Sequence, residues 1–239
     1  MGSLTRLWVY LAQTPLLWLT VTVAVYAFAH WLHHRAHARA ILNPVLISVA
    51  AIVAILLLTG TDYETYFDGA QFAHFLLGPA TVALAVPLYA QLGKLRRLAL
   101  PVGVSLLAGS LTAILSAGAI CWALGSSRQT ILSILPKSAT TPIAMGVSEG
   151  LGGLPSLTAV LVILTGILGA VVGTTVLDLL RVRDEAARGF ALGVASHGIG
   201  TARAFQVSEE TGAFAGLAMG LNGALTAVLV PILARLFGL

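Results

Sequence analysis

The chain has 239 residues, 58% of them hydrophobic and only 9% charged, with a mean hydropathy of +0.95. A soluble domain carries about a quarter of its residues as charges, so this chain lacks the polar surface to face water. Its length suits one membrane domain of roughly seven or eight apolar segments, at about 20 residues per crossing. The net charge of +4 comes from basic residues clustered between apolar runs. Cytoplasmic loops of membrane proteins look like that, so no nucleic-acid partner is expected. The single cysteine, Cys121, excludes an internal disulfide and any multi-cysteine metal centre. No metal or cofactor is expected.

Residues 7–29 form the first uncharged run. Ala27-Phe28-Ala29 resembles a signal-peptidase site, but the run exceeds a usual signal core and carries Trp8, Tyr10, Trp18, Tyr26 and Trp31 as interface anchors. It reads as a peripheral first helix over 7–32, followed by a basic patch at 33–39. The run 43–60, opened by Asn43-Pro44, ends in an acidic, aromatic loop at 61–68. The run 71–92 is broken at Gly78-Pro79 and at Pro87, and a basic loop at 94–97 closes it. After the run 98–124, residues 128–153 are irregular, with Pro136, Pro142 and several glycines. The run 154–180 leads to a charged loop at 181–188, a glycine-rich stretch at 189–207 and a last apolar run at 213–237. The expected fold is an all-α membrane domain over 1–239, with a helical group at 43–124 and a second at 128–239.

Charge asymmetry constrains the topology. With 33–39 and 94–97 in the cytoplasm, a single crossing by 128–153 would put the basic loop 181–188 outside. A re-entrant hairpin at 128–153 puts that loop inside, and a second hairpin at 189–207 would then enter from the cytoplasm. Broken helices that cross are the alternative. Two opposed hairpins amount to an inverted-repeat arrangement. Thr81, Thr141 and Thr201, spaced 60 apart in broken segments, and Gly109 and Gly169, with the same spacing, are a weak internal echo of it.

Two segments carry the chemistry. Around Lys137, two prolines six residues apart forbid a regular helix, and irregular backbone at membrane depth is tolerated only inside protein or beside water. An intramembrane lysine costs about 2.5–3.5 kcal/mol, which suggests an anion ligand, against a lysine that snorkels. Ser138, Thr140 and Thr141 surround it. In the second segment, Gly198 and Gly200 allow positive φ and close backbone approach. Arg203 offers a carboxylate-matching fork, and His197 a proton near neutral pH. Ser196 and Thr201 add hydroxyls. The plainer alternative leaves Arg203 at a hairpin mouth and His197 as a core histidine. Asn43, Thr81 and Asn222 are further candidate ligands, Asn222 reading more readily as an interhelix bond. Glu149 is a second candidate for proton coupling. Gly146-Val147-Ser148-Glu149-Gly150 fits a nucleophile elbow, but such an elbow needs a preceding strand, and no enzyme activity is expected. Small residues at 169/173, 189/193 and 212/216/220 allow close helix packing or a homodimer face.

Pro136-Lys137-Ser138-Ala139-Thr140-Thr141-Pro142-Ile143-Ala144-Met145 resembles the P-K-S-[VA]-T-T-P-I-A-M signature of the LrgB/CidB family. Ser196-His197-Gly198-Ile199-Gly200-Thr201-Ala202-Arg203-Ala204 resembles its S-H-G-I-G-T-A-R-A signature, and residues 77–89 a third. The likeness runs from about Asn43 to the C-terminus and includes the YohK branch and the plant plastid glycolate/glycerate translocator. It implies a multi-pass protein of the inner (cytoplasmic) membrane. Two functions come with it: transport of small 2-hydroxy or 2-keto monocarboxylates with protons, or an antiholin-like role in murein hydrolase control and lysis beside a small LrgA/CidA-type membrane partner. Costly charges in broken segments fit the carrier better. In that reading Lys137 and Arg203 hold the carboxylate, and Ser138, Thr140, Thr141, Ser196 and Thr201 bond the other oxygen.

Overall fold

The structure, a computed structural model, describes residues 15–36, 42–76, 79 and 82–239. These form eleven helices and no strand, and four of the helices are long and apolar enough to cross a membrane. Contacts divide the chain into two units, Met1–Ala83 and Leu84–Leu239.

The first unit holds α1 (Pro15–Arg35), α2 (Pro44–Thr59) and α3 (Tyr63–Phe75). The start of the expected first segment, and Thr81, lie outside the described residues. Trp18 is fully buried on α1, edge-on to Tyr66 of α3 at 5.7 Å. Asn43 caps α2, its Oδ1 accepting from the Val45 and Leu46 N–H groups. Gly60 ends α2 at φ 64°, a left-handed turn that glycine adopts without strain. The acidic loop expected at 61–68 is instead the start of α3. Asp62 accepts from the Thr65 N–H and hydroxyl, capping the helix. Tyr63 then meets Tyr66 and Phe67 across one turn. Likewise His33, His34 and Arg35 form the last turn of α1, where positive charge faces the negative end of the helix.

The second unit holds α4 (Ala85–Ala90), α5 (Leu92–Arg97), α6 (Ala99–Ala123), α7 (Arg128–Ile134), α8 (Thr141–Gly150), α9 (Pro155–Leu179), α10 (Glu185–Phe205) and α11 (Glu209–Leu236). Pro87, an expected break, sits in the first turn of α4, where no intrahelical N–H bond is due. The basic loop at 94–97 is the body of α5.

The irregular segment 128–153 doubles back. Thr158, fully buried on α9, has its Oγ1 2.9 Å from the Ser133 carbonyl oxygen and 2.8 Å from Ser148 Oγ. Ser133 and Ser148 therefore stand side by side, although 15 residues separate them. Ile131, Leu132 and Leu135 pack with Val230 and Ala234 near the end of α11, and Val147 and Leu151 return to the same cluster. Between them the chain reaches the middle of α11, where the Ser138 carbonyl accepts from Asn222. Helices α7 and α8 are thus the limbs of a hairpin with its tip at 135–140.

Helix α10 is a second hairpin. Its continuity breaks at Ser196 (φ −133°) and His197 (φ 42°). Beyond them the chain returns: Leu192 clusters with Ala204, and Glu185 at the start accepts a 2.6 Å hydrogen bond from the Ser208 hydroxyl just past the end. The positive φ falls on His197 and not on Gly198 or Gly200. The work of Gly200 is close approach, since a Cβ there would lie 2.7 Å from the Leu192 carbonyl oxygen and 2.6 Å from Ser196 Cβ. The small residues of the helix faces serve the same end within the unit. A Cβ on Gly189 or Gly193 would stand about 2 Å from the Thr211 or Ala215 carbonyl oxygen of α11.

The two hairpins enter from opposite ends. Along α9 the first packs at Leu154 and Thr158 and reaches Val162, while the second packs at Leu177 and Gly173 and reaches Gly169 and Gly166. Helix α9 has 25 residues, a length of about 37 Å, enough for a bilayer core of about 30 Å. Both tips lie near its middle.

Candidate functional site

The tips bring together Lys137 and Ser138 from one hairpin and Ser196, His197 and Thr201 from the other. Proline at 136 and 142 stops regular helix on either side of the first tip. Helix α8 begins at Thr141, and the Thr140 side chain, at the N-cap position, makes no cap bond. The first N–H groups of α8 thus face the tip with the positive end of its dipole. Lys137 is half-buried, with Nζ donating to Ser138 Oγ at 3.4 Å. The tip is tied to the second hairpin through Asn222, which donates to the Ser138 and Val194 carbonyls.

His197 is 5% exposed, with Nε2 2.9 Å from the Val162 carbonyl oxygen of α9. Thr201 Oγ1 donates to the His197 carbonyl at 2.8 Å, bracing the turn from the returning limb. Ser196 is 1% exposed, and its hydroxyl finds no hydrogen-bond partner among the described residues. The slot for this tip is cut by two glycines of α9. A Cβ on Gly166 would fall 2.6 Å from the His197 ring, and one on Gly169 1.6 Å from Ser196 Oγ. Nothing in the sequence pattern singled out Val162, Gly166 or Ser110; Gly169 stood out by its spacing from Gly109 and as a small residue paired with Gly173.

Other candidates lie apart from the tips. Arg203, six residues past His197, donates from Nη1 to Gln206 Oε1 at 2.9 Å near the base of the second hairpin. Glu149 is exposed in the last turn of α8, at the open end of the first. Asn222 is buried mid-way along α11 with its amide fully engaged by protein. Gly198 lies opposite Met219, with room to spare. Ser148, the serine of the elbow-like match, bonds Thr158, while His197 Nε2 faces the Val162 carbonyl.

A groove of about 620 Å³ runs between α6 and the entering limb of α10, from Leu98 and Asp184 up to Thr112, Val194 and Ala195. It leads from the open end of the second hairpin to within two residues of His197. At that end Lys94 of α5 is paired with Glu210 and lies 3.6 Å from Asp184. The hydrogen bond to Glu210 holds its ammonium above the usual lysine range.

Residues 22–236 match the LrgB-like family, nearly the whole chain. The chain belongs to that family. The LrgB-like relatives include two Bacillus subtilis proteins. YwbG is 40% identical over 215 residues, 90% of this chain and 95% of that protein, and YxaC is 37% identical over 91% and 94% of the two chains. A Staphylococcus aureus relative, named holin-like protein CidB, is 33% identical over 93% and 96%. No solved structure matches the chain. An LrgB-like chain built of apolar helices with no polar domain is a multi-pass membrane protein.

Proposed function

We propose that this LrgB-like protein carries small 2-hydroxy or 2-keto monocarboxylates, of the glycolate, glycerate and pyruvate type, across the inner membrane together with protons, and makes or breaks no bonds in them. The observation that carries the reading is Lys137 at the meeting point of two opposed hairpins. Its nearest hydrogen-bond partner is a neutral serine. An ammonium at that depth is expensive, and a bound carboxylate offsets the cost. One cation suits one carboxylate. The N-terminus of α8 adds its partial positive charge, and the Ser196 hydroxyl supplies a donor for the 2-oxygen of the substrate. His197 is the group for the coupled proton, because imidazole exchanges protons near neutral pH. Arg203, at the base of the hairpin, would attract the anion toward the groove rather than hold it beside Lys137. A homodimer and a small LrgA/CidA-type subunit remain the expected partners.

A second reading rests on the name of the Staphylococcus relative, holin-like CidB: a membrane regulator of lysis that acts through such a partner. Uptake of radiolabelled glycolate, glycerate and pyruvate into proteoliposomes separates the two. A carrier gives saturable uptake that an inward proton gradient accelerates and that Lys137→Ala abolishes. The regulator gives none, with or without the small partner protein.

A further inference from the structure

The polar atoms of Asn222 are fully committed. The residue is 1% exposed. Nδ2 donates to the Ser138 carbonyl at 3.0 Å and to the Val194 carbonyl at 3.2 Å, and Oδ1 accepts from Ser110 Oγ at 2.6 Å. Two amide protons and one carbonyl oxygen thus serve three elements: the first tip, the second hairpin just before its turn, and α6. The amide has two donors in all, so a substrate would have to break one of these bonds to reach it.

The partners give the residue its meaning. The Ser138 carbonyl belongs to the residue bonded to Lys137, and the Val194 carbonyl lies three residues before His197. Neither tip is covalently joined to the other within 50 residues, and they approach from opposite ends of the unit. We infer that Asn222 is a positioning residue: it clasps the two tips and α6 at one point and so sets the spacing between the Lys137 ammonium and the His197 ring. That the spacing serves a carried anion rests on the function proposed above; the clasp itself does not. Its neighbours leave it little slack, since a Cβ on Gly223 would meet Ile143 of the first hairpin at 2.9 Å and one on Gly109 would meet Val194 at 3.1 Å.

The test uses the full-length protein with Cys121→Ser, carrying a single reporter, Ala139→Cys at the first tip or Val194→Cys in the second hairpin. Both positions are buried. With Asn222 intact, a membrane-impermeant maleimide in proteoliposomes labels both slowly. Asn222→Ala removes both donations, and labelling of both reporters rises by about tenfold, the equivalent of one or two buried hydrogen bonds. Ser110→Ala, a milder change that frees the amide to turn, raises both less. A rise at only one reporter, or at neither, overturns the clasp. Uptake is measured in parallel. Asn222→Ala is expected to raise KM for the transported acid several-fold more than it lowers the maximal rate. An unchanged KM beside freed tips overturns the link between spacing and substrate, and absence of uptake in the unmutated protein overturns the carrier reading while the labelling result stands.

Discussion

Gly169→Ala is the sharpest probe of the slot that receives the second tip. The added methyl would lie 1.6 Å from Ser196 Oγ, 2.6 Å from Ser196 Cβ and 3.8 Å from its Cα. Rotating the hydroxyl away removes the first clash but not the second, and ordinary carbon contacts need about 3.5–4 Å. The tip must therefore retreat by about 1 Å. Overpacking of this kind costs about 1–3 kcal/mol, partly offset by up to ~1 kcal/mol of helix propensity. The net loss is about 1–2 kcal/mol, or roughly 2–8 °C in the thermal midpoint for a chain of this size. Gly220→Ala on α11 is the control, since its methyl would meet nothing within 4 Å; it should be neutral or slightly stabilising. Adding Ser196→Gly to Gly169→Ala removes both clashing atoms, leaves an ordinary 3.8 Å contact and should restore most of the midpoint. Thermal unfolding in detergent, followed by intrinsic fluorescence, reads all three. If Gly169→Ala melts with Gly220→Ala, or Ser196→Gly fails to rescue it, the slot is not as described.

Two more outcomes follow from the hairpins. Thr158→Val keeps the shape but strips the hydroxyl that ties Ser133 to Ser148, leaving buried polar groups unpaired at about 1–3 kcal/mol, so the midpoint should fall by roughly 2–12 °C. In the Cys121→Ser background, Gly150→Cys and Glu185→Cys should react with impermeant reagents from opposite sides of the membrane, with Glu185→Cys labelled from the cytoplasmic side; labelling of both from one side would refute the opposed hairpins.

The first hairpin was legible because prolines speak locally: Pro136 and Pro142 forbid a helix through the tip, and the charge of residues 181–188 told the chain to turn back. The second was legible as a glycine-rich break, but its turn falls on His197 because Thr201, Val162 and the Gly166 slot hold that residue from three sides, and two of those three are far away in sequence. Lys137 and His197 were visible as polar groups that an apolar segment has no local use for. The role of Asn222 depends on carbonyls 84 and 28 residues distant, which no spacing rule encodes. The depth of Arg203 was not legible: its chemistry suits a carboxylate anywhere, and only the fold places it and its neighbour Gln206 near the base of the second hairpin. The helix at 63–75 was hidden because aromatic pairs along one face look, in sequence, like an interfacial loop.

Opposed hairpins whose tips meet halfway along α9 also shape the electric field. Where water follows each hairpin inward, the membrane voltage falls across the few residues between the tips rather than across the whole bilayer. A lone monovalent anion stepping past Lys137 would then do nearly the full electrical work, about 2.3 kcal/mol per 100 mV, within a few ångströms. In the proposed carrier, the same anion moving with a proton on His197 would do almost none, so the current accompanying uptake would count the protons that travel with each acid.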